Sequence, residues 1–97
     1  MSKIDLTTHE RFELAMENTT QRRHFFRDLL LIRQAADASQ VEIAKAIGVR
    51  TRQVKRFEEN PEEADPTVDF VLRYAHAIGA RVGMTAVPLH ELPEELS

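Results

Sequence analysis

At 97 residues the chain is long enough for one modest hydrophobic core and too short for two. With 42% apolar and 30% charged residues it has the balance of a globular protein, and no run approaches the roughly 18–20 apolar residues of a membrane span. It contains no cysteine, which excludes disulfides, thiolate metal sites and cysteine nucleophiles, and the stretch Met1-Ser2-Lys3-Ile4-Asp5 shows no secretory signal, so a cytoplasmic protein is expected. The net charge of −3 argues weakly against a nucleic-acid ligand.

The distribution of charge reverses that argument. Between Gln40 and Phe57 stand Lys45, Arg50, Arg52, Lys55 and Arg56 against Glu42 alone, a balance of +4. Between Glu58 and Asp69 stand six carboxylates and no base, a balance of −6. Bases gathered in one short block give a local electrostatic footprint that the total conceals.

In chain order, Thr7-Thr8 caps a first short helix with Phe12 and Met16 one turn apart, and Asn18-Thr19-Thr20 interrupts it. A longer helix follows from about Gln21 to Ala36, with Phe25, Phe26, Leu29, Leu30, Ile32 and Ala36 as its apolar stripe. Ser39 is a good N-cap for a short helix from Gln40 to Ile47, which Gly48 stops. The next helix carries Val54 and Phe57 inward. Residues 60–66 read as a loop bounded by Pro61 and Pro66, and Thr67 caps a helix with Val68, Val71, Tyr74, Ala75 and Ile78 on one face, stopped by Gly79. Beyond it the period becomes two: Val82, Met84 and Ala86 point one way, and Arg81, Gly83, Thr85 and Val87 the other. This predicts a strand over residues 81–87, paired antiparallel with its equivalent across a homodimer two-fold through Val82, Met84 and Ala86. The acidic tail from Leu89 to Ser97 is expected to fray.

The segment QVEIAKAIGVRTRQVKRFEE, Gln40 to Glu59, meets the demands of a helix-turn-helix. Ala44 is the small residue at the helix contact and Gly48 forms the turn. Ile43 and Ile47 anchor the first helix; Val49, Val54 and Phe57 anchor the second. Arg52, Lys55 and Arg56 then lie on the face opposite Val54 and Phe57. Arginine can hold guanine O6 and N7 with two hydrogen bonds, and the threonine methyl can contact thymine.

From about 25 to 79 the chain resembles the lambda-repressor-like, Cro/C1-type (Xre) helix-turn-helix family. The resemblance rests on Ser39-Gln40, Ile43-Ala44, Ile47-Gly48-Val49, Val54, Glu58, Pro66-Thr67 and the stretch Ala75 to Gly79. It implies that Gln40 touches the DNA backbone and that Arg50, Thr51, Arg52, Lys55 and Arg56 read double-stranded DNA in the major groove. It also implies a structural salt bridge between Arg33 and Glu58, which keeps Arg33 off the DNA. The expected architecture is all-α, about five helices in a compact helix-turn-helix domain over 21–79, with a helical extension over 1–20 and the strand and acidic tail over 80–97.

Two features depart from the family. The loop after the recognition helix, Glu59 to Asp65, is acidic where relatives often contact phosphates, so it is either solvated or turned toward a basic protein partner. The C-terminal strand replaces a fifth helix, and with the N-terminal segment this layout resembles antitoxins of the HigA type, which repress their own operon and bind an RNA-cleaving toxin. A free-standing or phage-type repressor fits the same motif.

His9, His24, His76 and His90 are dispersed without metal-ligand spacing, and there is no glycine-rich phosphate loop, so neither a metal, nor a cofactor, nor enzymatic activity is expected. Two functions remain. One is a homodimeric DNA-binding regulator, a repressor on an inverted-repeat operator, with a toxin as a further partner. The other is a protein-interaction module that keeps the fold and has lost DNA.

Overall fold

A helix 28 residues long dominates the computed structural model, which describes residues 5–90. This helix, α1 (Thr8–Ala35), accounts for the long dimension of a molecule measuring 47 × 26 × 25 Å, since 28 residues rise about 42 Å. It starts at a reciprocal cap: Thr7 Oγ1 accepts the Glu10 N–H and Glu10 Oε1 accepts the Thr7 N–H, both at 3.0 Å. The break expected at Asn18-Thr19-Thr20 does not occur. These residues are weak helix formers at a few tenths of a kcal/mol each, and none is the glycine or proline that would stop an otherwise continuous helix.

Four shorter helices follow: α2 (Gln40–Ile47), α3 (Thr51–Glu59), α4 (Pro61–Ala64) and α5 (Val68–Ala77). The count of five matches the expectation with different members. The first two expected helices are one, and the segment read as a loop contains the single turn α4, whose Pro61 needs no N–H and whose Asn60 caps the Glu63 N–H at 3.3 Å.

The core gathers Phe26 and Leu29 from α1, Ile43, Ala44 and Ile47 from α2, Val54 and Phe57 from α3, and Val71, Tyr74, Ala75 and Ile78 from α5 and its end. Phe57 is its centre. Its ring meets Tyr74 at 4.8 Å, Phe70 at 5.4 Å and Phe26 at 5.6 Å, all in tilted or edge-on geometry. This core holds α2, α3, α5 and only the last third of α1.

The predicted strand is corrected. Among the described residues there is no strand; residues 80–88 form no regular secondary structure and have no ladder partner. Period-two alternation specifies two unlike sides, but a ladder also needs a second backbone, and here only Val82 of the apolar side is packed against the core. Val82 packs at the edge of the core, and Met84 lies with Gly83 and Thr85 over a groove shared with Phe25 and Leu72. Ala86 stays exposed. His90 Nε2 ends 2.6 Å from Glu10 Oε2, so the segment straps back along α1. The tail beyond His90, expected to fray, lies outside the described residues. Among those residues no helix is long and apolar enough to cross a membrane.

Candidate nucleic-acid interface

The local sequence sets α2 and α3 at a fixed turn. Ser39 Oγ accepts the Glu42 N–H and Glu42 Oε1 accepts the Ser39 N–H, both at 3.1 Å, which fixes where α2 begins. Gly48 ends it in the left-handed region, φ 74° and ψ 33°. A methyl group there would find its nearest neighbour, an Arg73 nitrogen, at 4.0 Å, so conformation and not space demands glycine. The Val49 N–H closes the turn on the Ala44 carbonyl at 3.0 Å. From α5, Arg73 Nη1 donates to the Ile47 carbonyl at 2.7 Å, placing a cation on the C-terminus of α2 while Asp69 holds the rest of the guanidinium.

Val54 and Phe57 bury one face of α3 almost completely. At its C-terminal end the Glu58 carboxylate gathers donors from three other helices: Arg33 Nε of α1 at 2.7 Å, Gln40 Nε2 of α2 at 2.8 Å and the Tyr74 hydroxyl of α5 at 2.5 Å. Burial pulls the Glu58 carboxyl upward, but these donors, led by Tyr74, outweigh it and hold it below the usual carboxylate range. Burial and the neighbouring carboxylate push the Tyr74 phenol upward. Four helices are thus tied at one carboxylate, and the recognition helix cannot rotate without breaking that tie.

The opposite face of α3 is different. Arg50, Arg52, Gln53 and Arg56 are exposed and line a concavity of about 530 Å³ that contains no carboxylate. Among the described residues none of the three arginines has an ion-pair partner. Arg50 is the N-cap of α3, its N–H held by Gln53 Oε1 at 2.9 Å.

The residues predicted from sequence fall into two groups. Arg50, Arg52 and Arg56 come together. Thr51 is half-buried at the first turn, Lys55 lies off the concavity 3.9 Å from Glu59, and Gln40 turns its amide onto Glu58. Gln53, Tyr74 and Arg73 were not singled out by sequence. Gln53 had a signal, three residues past the N-cap; Arg73 had only its i, i+4 spacing from Asp69; Tyr74 read simply as core.

The acidic segment after α3 is drawn to α1. Arg23 Nε binds Glu62 Oε1 at 2.9 Å, and Arg22 lies 3.9 Å from Asp65. Its negative charge is therefore partly matched within the chain, while Asp65 also borders a groove that Gln53 and Arg56 line from the other side. Among the described residues no group of three or more His, Asp or Glu side chains is placed to hold a metal ion.

The helix-turn-helix family matches residues 29–83 of the chain. Antitoxin HigA1 of Mycobacterium tuberculosis, from strain CDC 1551 / Oshkosh and from strain ATCC 25618 / H37Rv, is 37% identical over 84 residues, which cover 84% of this chain and 55% of the relative. The chain thus spans about half the length of the curated relatives it matches. No solved structure matches it. The turn at Gly48, the anchored α2 and α3 and the family match converge: the chain belongs to the helix-turn-helix family in its Cro/C1 (Xre-like) form.

Proposed function

We propose that the chain is a sequence-specific DNA-binding transcriptional regulator, a repressor, which binds an inverted-repeat operator as a homodimer and serves as the antitoxin of a toxin–antitoxin pair. One observation carries the DNA reading: Arg50, Arg52 and Arg56 stand without ion-pair partners among the described residues, on the exposed face of a helix whose back is fixed by the core and by Glu58. Guanidinium groups are costly to crowd together unless an anion will meet them, and their planar forks suit both phosphate oxygens and the guanine edge. Two copies on a two-fold operator would set their α3 helices in successive major grooves about 34 Å apart. The antitoxin role is supported by the likeness to Antitoxin HigA1.

Gln40 keeps a place in this reading. With one amide hydrogen engaged by Glu58, its second hydrogen and the N-terminal backbone of α2 remain suited to a phosphate. Fluorescence anisotropy with DNA from upstream of the protein's own gene, at two salt concentrations, tests the proposal. Specific binding that weakens steeply with salt is expected. No binding at low salt would leave a protein-interaction module instead.

A further inference from the structure

The part of α1 from Thr8 to His24 adds nothing to the core, for no residue in it is buried. It still displays two large apolar side chains, Phe12 at 64% exposure and Met16 at 57%. Down the same helix Phe12, Met16, Thr19, Arg23, Phe26 and Leu30 succeed one another at alternating steps of four and three, the spacing of a seam between two helices. The far end of this row opens as a groove of about 340 Å³ between α1 and α4, walled by Phe26, Leu30, Leu31 and the stem of Arg23, with Pro61 opposite. One helix face therefore carries an apolar knob and, about 27 Å along its axis, an apolar slot.

We infer that the slot receives Phe12 of a second copy, and that the chain dimerises by antiparallel pairing of α1 about a two-fold axis near Gln21. Such an axis sets Phe12 opposite Leu30 and Met16 opposite Phe26, twice over. Charge obeys the same symmetry. The first half of α1 carries Glu10, Glu13 and Glu17 against Arg11; the second carries Arg22, Arg23, Arg27 and Arg33 against Asp28, of which Arg33 is engaged by Glu58 and Arg22 and Arg23 face Asp65 and Glu62. Antiparallel pairing lays each acidic half over a basic half, whereas parallel pairing would set like on like. Along the flank of the seam Glu13, whose contact within its own helix is the exposed His9 at 2.9 Å, comes opposite Arg27. Arg27 is 64% exposed at its side chain and makes only a long, exposed contact of 3.8 Å with Asp28, its chain neighbour. Among the described residues the chain's own C-terminal strap does not fill the slot. It runs on another side of α1, where Met84 shares a groove with Phe25 and His90 meets Glu10.

This inference rests on the dimeric reading proposed above and names its interface. Sedimentation equilibrium of the full chain tests it. Wild type is expected to dimerise, and Phe12→Glu, which puts a good helix former at an exposed position, to weaken self-association roughly 30-fold or more, the scale of a buried aromatic anchor. Glu13→Arg is expected to weaken it too, and adding Arg27→Glu to restore it, a rescue that lost helix stability alone would not give. A wild-type monomer at ~100 µM, or a dimer that Phe12→Glu leaves intact, overturns the inference. Binding to a duplex holding one half-site is read separately. Phe12→Glu is expected to retain it, and failure of wild type there would defeat the regulator reading without touching the interface.

Discussion

The two faces of α3 obey opposite rules. On the back, each polar group is answered: Glu58 accepts from three helices, and Val54 and Phe57 are sealed in the core. On the front, Arg50, Arg52 and Arg56 share a concavity without one carboxylate. The nine residues of α3 and its N-cap Arg50 serve both as a wall of the domain and as an open cationic surface. The contrast separates roles that charge alone does not. Arg33 is the same residue type as Arg52, yet its guanidinium is spent on Glu58 at a side-chain exposure of 18%. A partner inside the fold marks a brace; the lack of one marks a group held ready for something outside.

Substitutions on the two faces should therefore separate stability from binding. The largest effect is expected on the back. Glu58→Ala leaves three donors facing an emptied site and should cost about 2–3 kcal/mol of stability by denaturant unfolding, somewhat below the range for fully buried pairs because Glu58 keeps 13% of its side chain exposed. The same group sets an acid limit. Its folded pKa lies below the ordinary 4.5, so its contribution is complete above about pH 4.5 and is lost as pH falls through the folded value. Unfolding titrations from pH 7 to 3 should show that loss in wild type and a flatter profile in Glu58→Gln.

On the front, Arg52→Ala should leave the unfolding midpoint within experimental error and cost roughly 1–3 kcal/mol of specific DNA binding. An equal loss of stability would place Arg52 among the braces and break the contrast. Tyr74→Phe removes one of the three donors to Glu58 and keeps the ring on Phe57, so about 0.5–1.5 kcal/mol of stability should go, with DNA affinity of the folded protein unchanged. Lys55→Ala should do least. Lys55 lies 3.9 Å from Glu59 with both side chains more than half exposed, and less than about 0.5 kcal/mol is expected in a thermal melt.

How far these faces could be read in the sequence depends on the range of the interaction. The helix-turn-helix is written locally: Ser39 and Glu42 cap, Gly48 turns, and Ile43, Ile47, Val54 and Phe57 mark the inward side by their spacing. The basic cluster was equally plain, because Arg50, Arg52 and Arg56 are neighbours in sequence. Arg33 with Glu58 came through resemblance alone, since 25 residues separate them. Tyr74 and Gln40 reach the same carboxylate from α5 and α2, and no spacing rule connects residues that only the packed core brings together. The error at residues 81–87 has the same source. Alternation is a local property, while a ladder partner is not, and the segment lies beside α1 of its own chain at Met84 and His90. At Asn18-Thr19-Thr20 local propensity does not decide: a weak stretch within a long capped helix costs less than ending it.

Site selection from a randomised DNA pool, run side by side with the wild-type chain and Arg52→Ala, tests the central claim most directly. The account predicts that wild type enriches an inverted repeat with a guanine preference in each half-site, and that Arg52→Ala enriches the same repeat with that one preference lost. An identical consensus from both proteins, or no consensus from the wild type, would contradict it.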